Sequence, residues 1–496
     1  MATKKMVLSV VGSGTTYLPD FCEILIQRRD ELQVAKWQLM DIDPIRLETT
    51  GNFVKKMIAD AGLETEVFMT TNLEEGVKDA DFVITTIRSG GPDMRILDET
   101  VPLKYNMIGQ ETTAPGGMMM GLRDIPEMLK IAEAMEKYSK PNVWLINLAN
   151  PSGMLAEALN QYSNVNFAGL CNGPTVIRNA MKAIYAPENP EDVFVEVIGL
   201  NHLIWCKVFY KGEDVTEEAI TKLLDWTAEN IPYLRTEFAE KEIMEFAGWI
   251  PMGPYLRFYY NYPGALNDFQ HQERHWPKMV EMVKKNVGGF LDDLSIEDLP
   301  TRAHMVKEVD KRTMELYRNL DMDGYKLATN TRGGKGYGEA GLALISAIWN
   351  NKGEIHGPDV RSRGTIEGLD PTTVATTTSY VDGSGIHPLA FPAMPRHMIS
   401  KIQAAKQYEL LACEAAVTGD YNKALEALIA NPLVGNQYYD IKGCLDELLI
   451  KQVEFLPNFK DAVDKLRKGE IPCYAKEIDG IEQDVKFVSS QIEMGQ

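Results

Sequence analysis

The stretch Met6-Val7-Leu8-Ser9-Val10-Val11-Gly12-Ser13-Gly14 decides the reading of this chain. Its first six residues are largely apolar and β-branched, which predicts a buried strand. Gly12 and Gly14 stop that strand just before a helical pattern from Leu18 to Arg29. The rhythm repeats downstream. Trp37-Gln38-Leu39-Met40 ends on Asp41 and leads into a helical pattern from Pro44 to Ala61. Asp81 to Thr86, Val143 to Asn147, Phe167 to Leu170 and Val193 to Ile198 are further apolar runs of strand length. Continuously apolar strands separated by helices predict an α/β fold, a doubly wound parallel sheet covered on both faces. Ligands on such Rossmann-like sheets lie beyond the carboxyl ends of the strands.

Past residue 203 the pattern changes. A strand hairpin from Leu203 to Tyr210 precedes long helical segments at Ala303 to Asn319, Ala340 to Asn350 and Pro395 to Gly419. This divides the chain into residues 1–198, a dinucleotide-binding type of domain, and residues 199–496, a mainly helical α+β domain for substrate, catalysis and oligomerisation. Residues 261–300 and 353–390, rich in Gly, Pro and polar side chains, are predicted as the large loops or insertions.

The whole chain has 496 residues, 45% hydrophobic and 25% charged, the profile of a soluble globular protein of two to four domains. No apolar run approaches the ~18 residues that cross a bilayer, and no apolar leader follows Met1, so a cytoplasmic protein that does not engage membranes is expected. The net charge of -20 opposes nucleic-acid binding, which needs a basic face. Six scattered cysteines with no CxxC spacing read as reduced thiols.

The chemistry-bearing residues fall at the predicted strand ends. Gly12 and Gly14 let backbone N–H groups approach a pyrophosphate, although the third glycine of the dinucleotide pattern is missing and a tight turn without ligand has the same sequence. Asp41 adds to the first reading. An acidic side chain there accepts from an adenosine ribose and repels the extra phosphate of NADP, which favours NAD. Cys171 and His202 each follow an apolar strand. A thiolate and an imidazole suit a borderline transition metal, while a buried thiol and a structural histidine are the plain alternative. Arg88, Arg95 and Arg302 are candidate anion clamps, the first two flanking Ser89-Gly90-Gly91-Pro92; solvated surface arginines are the alternative. Tyr255 opens the aromatic run Tyr255 to Tyr260, which is core fill or holds one acid–base phenol.

Together these motifs resemble glycoside hydrolase family 4, the NAD- and metal-dependent glycosidases. The matching segments are Gly12 to Pro19, Arg88-Ser89-Gly90, Arg95 to Glu99, Gly109 to Thr112, Asn150 to Gly153, Gly169 to Pro174, Gly199 to His202, Tyr255-Leu256 and Thr301 to Ala303, in the family's order from residue 6 to about residue 460. The resemblance implies a lactate/malate dehydrogenase-like first domain, with Gly12, Gly14, Thr15, Asp41 and Arg88 contacting NAD. It implies a divalent cation, Mn2+ or another, on Cys171 and His202, and Tyr255 as the base at sugar C2. Asn150 and Asn172 would contact sugar hydroxyls close to the chemistry, Glu111 would bind the sugar or position water, and Arg95 and Arg302 would hold a phosphate.

The implied reaction is a glycoside hydrolysis by NAD-dependent oxidation at C3, deprotonation at C2, elimination of the aglycone, water addition and re-reduction. It needs no pair of catalytic carboxylates, and the sequence offers no clear pair. Cys171-Asn172 is similar to the family's 6-phospho-β-glucosidases, although Gly173 departs from the aliphatic residue usual there. The small-molecule partner implied is therefore a 6-phosphoglucoside. Alternatives are a 6-phospho-α-glucoside or an unphosphorylated glycoside, an NAD-dependent hydroxy-acid dehydrogenase, or a non-enzymatic sugar-phosphate sensor. The resemblance also implies a homodimer or homotetramer built through the helical C-terminal half.

Overall fold

The computed structural model describes residues 5–230, 241–252, 255–271, 280–281, 284, 291–328, 336–391 and 393–478. Eight strands form in the first 210 residues: β1 (Met6–Val11), β2 (Val34–Met40), β3 (Glu66–Thr70), β4 (Phe82–Thr85), β5 (Trp144–Asn147), β6 (Asn166–Gly169), β7 (Val193–Leu200) and β8 (Leu203–Tyr210). Strands β3, β2, β1, β4, β5 and β6 lie side by side in that order, each parallel to its neighbour. This is the doubly wound order with its switch point between β1 and β4, where ligands bind.

Alternate residues of these strands enter different cores. Leu8, Val10, Phe82, Ile84 and Ile146 pack on one face with the Leu18–Gln27, Pro44–Asp60 and Tyr337–Trp349 helices. Val11, Val83 and Leu145 pack on the other with the Ala114–Tyr138, Arg396–Thr418 and Tyr438–Lys451 helices. The period of two therefore buries both faces, which is why the strands read as unbroken apolar runs. Helices from beyond residue 330 contribute to both cores.

The structure corrects the sequence reading in four places. β7 is not a further parallel strand: it pairs antiparallel with β8 and with a late strand. Residues 353–390 are not loop. They carry β11 (Glu354–His356), β12 (Asp359–Arg361), β13 (Val374–Thr377), β14 (Ser379–Asp382) and β15 (Gly385–Pro388), following two two-residue strands, β9 (Glu213–Asp214) and β10 (Ile250–Pro251). Strands this short show no alternation of their own; their partners select them. β3, half-exposed at the sheet edge, was missed for the same want of an apolar run. In the predicted insertion at 261–300, Tyr262–His271 is a helix, whereas 272–279, 282–283 and 285–290 lie outside the described residues.

The late strands matter for the site because β12 and β13 sit between β6 and β7 in one 12-stranded sheet. Gly169 pairs with Asp359, Asp359 with Thr376, and Thr376 with Gly199. One row across the sheet thus connects the carboxyl end of β6 to the turn between β7 and β8. Residue 198, where the sequence suggested a division, lies within β7.

Candidate active site

Each strand end at the carboxyl edge delivers one piece of a single cavity of about 1840 Å³. After β1 the chain turns at Gly12, whose φ of 92° is left-handed and whose added Cβ would lie 2.9 Å from the Thr86 carbonyl carbon. Only glycine fits there. Asp41, after β2, accepts from the Gly14 amide at 2.6 Å and from the Asp43 amide at 2.9 Å, leaving no room for a side chain at Gly14. Burial pushes the Asp41 carboxyl up, against those two hydrogen bonds. Thr15 lines the cavity beside them.

Arg88 follows β4, and Arg95 and Glu99 lie on the Gly91–Lys104 helix. Glu111 stands between the two arginines, its Oε2 2.9 Å from Arg88 Nη2 and 2.9 Å from Arg95 Nη1. Burial alone would raise the Glu111 carboxyl; Arg95, Arg88 and Arg302 outweigh it and hold the pKa at about 2. Glu111 is therefore a fixed anion, an acceptor rather than a proton donor. Arg95 Nε pairs with Glu99 at 2.8 Å, and the other Glu99 oxygen accepts from the Ala303 amide at 3.0 Å. That bond ties the first turn of the Arg302–Arg318 helix, with the exposed Arg302 at its start, to the same cluster. Arg95 is buried, and its Nη2 has no hydrogen-bond partner.

Asn150 follows β5, and Cys171 and Asn172 follow β6; all three line the cavity. The Gly173 amide donates to Cys171 Sγ at 3.4 Å, while burial pushes the thiol up to about 11. His202 arrives by another route than the parallel strand end expected for it. It occupies the β7–β8 turn with φ of 62°, three residues past Gly199, where the sheet row that starts at Gly169 ends. Its ring stacks on Tyr255, centroids 4.0 Å apart and 14° from parallel. Burial, with Arg302 adding to it, drops the His202 pKa to about 4. The imidazole is thus neutral, the form that binds a cation, and its Nδ1 is buried with no hydrogen-bond partner.

A thiol and a neutral imidazole with an unsatisfied nitrogen fit a divalent transition metal. Among the described residues no group of three or more Cys, His, Asp or Glu is arranged to hold a metal. Every residue singled out in the sequence lines the cavity, Tyr255 and Arg302 included. Sequence reasoning missed Tyr337, which also lines it. Burial drives the Tyr337 phenol far up, with Cys171, Tyr17 and Tyr255 close by and a hydrogen bond to Asn150. The signal was the glycine-rich stretch Gly333-Gly334-Lys335-Gly336 just ahead of the Tyr337–Trp349 helix.

A dinucleotide-type sheet whose edge combines a glycine turn, an arginine cluster and a thiol–imidazole pair in one cavity defines an enzyme acting on a small molecule. The chain belongs to the family 4 glycosyl hydrolases: residues 7–186 match the model "Family 4 glycosyl hydrolase" and residues 197–434 match its "C-terminal domain". It is 34% identical over 471 residues to a probable 6-phospho-β-glucosidase of Bacillus subtilis, covering 93% of this chain and 100% of that one. The solved 6-phospho-β-glucosidase of Thermotoga maritima with NAD and glucose-6-phosphate superposes with a TM-score of 0.77 at 30% identity, over 91% and 99% of the two chains. A second structure of the Thermotoga enzyme holds manganese, NAD+ and glucose-6-phosphate, with a TM-score of 0.76 at 29% identity and the same coverage of both chains.

Proposed function

We propose that this chain is a 6-phospho-β-glucosidase that uses NAD and a divalent cation, manganese foremost. The observation that carries the reading is the convergence of the glycine turn, the Arg95–Glu111–Arg88 cluster and the Cys171, His202 and Tyr255 group in one cavity. The relatives named for 6-phospho-β-glucosides, and the neighbour holding NAD, manganese and glucose-6-phosphate, support it.

In this reading Gly12, Gly14, Thr15, Asp41 and Arg88 receive the dinucleotide, and Cys171 and His202 hold the cation. Bound there, NAD+ would supply a reversible hydride acceptor and the cation a Lewis acid for the sugar oxygens on C2 and C3. Arg95 and Arg302 grip the 6-phosphate, whose oxygens suit the guanidinium fork. Asn150 and Asn172 orient the sugar hydroxyls. Glu111 keeps Arg88 and Arg95 in place by its fixed negative charge and accepts from sugar or water. Tyr255, held flat against His202, serves as the phenolate that takes the proton from C2 and becomes the neutral phenol, and a cation held at Cys171 and His202 would favour that phenolate.

The protein works in the cytoplasm as a homodimer or homotetramer. Its six unpaired cysteines support a reducing compartment, and the exposed Ile429, Tyr438 and Tyr439 support association through the C-terminal helices. The substrate assignment is tested with a panel of α- and β-nitrophenyl glucosides, with and without a 6-phosphate, assayed with NAD+, Mn2+ and a thiol reductant. Turnover confined to the 6-phospho-β-glucoside, with no net NADH, is expected. Equal turnover of the plain glucoside would refute it, and steady NADH accumulation would indicate a dehydrogenase instead.

A further inference from the structure

The Arg302–Arg318 helix meets the cavity at two places. Arg302 stands at its start, and Asp310, roughly 12 Å further along the axis, reaches the glycine turn. Asp310 Oδ2 accepts from Arg46 Nη1 at 2.8 Å, and Oδ1 accepts from Arg46 Nη2 at 3.2 Å. Thr16 Oγ1 donates to the same Oδ1 at 3.2 Å, while Arg46 Nε donates to the Gly14 carbonyl at 2.9 Å. Every nitrogen of the Arg46 guanidinium is therefore engaged.

The place of Arg46 gives this clamp a meaning. It lies in the first turn of the Pro44–Asp60 helix, whose N-cap Asp43 accepts from the Ile45 and Arg46 amides, and it shares a cavity wall with Asp41. In sheets of this order an acidic residue after the second strand meets the ribose 2′-hydroxyl of NAD, and an arginine nearby meets the 2′-phosphate of NADP. This chain carries both residue types. The carboxylate of Asp310 occupies the planar fork that would otherwise pair with a phosphate, and Asp41, Asp43 and Asp310 together outnumber Arg46 on that wall.

We propose that Asp310 is a specificity-determining residue for the cofactor: by sequestering Arg46 it keeps the site selective for NAD over NADP, acting from the C-terminal half of the chain. The inference rests on the reading of the glycine turn as the dinucleotide site. A merely structural ion pair between helix and turn would affect both dinucleotides alike, whereas a specificity residue changes their ratio.

The test is equilibrium titration of the full chain with NAD+ and separately with NADP+, followed by intrinsic fluorescence, for wild type, Asp310→Ala, Asp310→Asn and the double variant Asp310→Ala/Arg46→Ala. Releasing Arg46 is expected to tighten NADP+ relative to NAD+ by about ten- to a hundredfold, the worth of one hydrogen-bonded charge pairing. Removing Arg46 as well returns the ratio to that of the wild type. Asp310→Asn keeps the side chain's volume and shifts the ratio the same way where the alanine variant is too unstable to titrate. An unchanged ratio in both single variants with NAD+ still bound overturns the proposal, as does an equal loss of both dinucleotides in both. A wild type that binds neither dinucleotide removes the underlying cofactor reading, and the proposal with it.

Discussion

Tyr255 and His202 lie ring on ring at 4.0 Å, so one side chain fixes the other's plane. That contact separates a positioning effect from a chemical one. Tyr255→Phe retains the ring and the stack but loses the oxygen. It is expected to lower kcat by about 10²–10⁴-fold, the usual contribution of a positioned base, while Mn2+ and NAD+ titrations remain at wild-type affinity. Turnover within a factor of two of wild type would remove Tyr255 from the base role. Glu111 makes a different prediction, on stability. Its carboxyl titrates at about 2 in the fold against an ordinary 4.5, so the folded state favours the ionised form. That stabilisation is complete above the ordinary value and is lost as pH falls through 4.5 toward 2. Glu111→Gln removes the anion that Arg88 and Arg95 share, leaving Arg95 only Glu99, and is expected to cost ~3 kcal/mol near neutrality, the low end for a broken buried pair. The Tm gap between wild type and variant should narrow as the pH is lowered from 5 to 3; a constant gap contradicts the assignment.

Among elements, the Arg302–Arg318 helix carries the most consequence, because it presents Arg302 to the cavity and Asp310 to the glycine turn. Arg302 is exposed, so the phosphate contact proposed for it would be worth the lower range for charged hydrogen bonds. Arg302→Ala should raise KM for the 6-phosphoglucoside by roughly ten- to a hundredfold, or ~1.5–3 kcal/mol, and leave plain glucosides unaffected. An equal change for both would place the phosphate elsewhere. The elements legible in the sequence were those that carry their own pattern. The six parallel strands, bar β3, read as apolar runs because helices cover both faces, and the glycine turn and Asp41 read from position alone. β12 and β13 were illegible, since three- and four-residue strands owe their conformation to β6 and β7. Without them the arrival of His202 at the cavity that Cys171 lines had the wrong reason: it depends on the row from Gly169 through Asp359 and Thr376 to Gly199. The Arg46–Asp310 pair was illegible for a simpler cause, 264 residues of separation.

At the scale of the whole molecule, the helices that follow residue 330 enter both cores of the N-terminal sheet, and the cavity takes residues from both halves of the chain. The site is therefore complete only in the intact chain. The cavity holds an immobilised anion at Glu111, a neutral imidazole at His202 and the Tyr255 phenol. In the proposed reaction the C2–H bond of the sugar breaks and reforms in each turnover. The direct measurement is hydrolysis of a 6-phospho-β-glucoside by the wild type in D2O, with the product examined by NMR at C2. Tyr255 is half-buried on the wall of the cavity, so a proton taken up there is expected to exchange with solvent. Product carrying deuterium at C2 is predicted. Product that retains protium there at full turnover would mean displacement at C1 alone and would rule out elimination through C2.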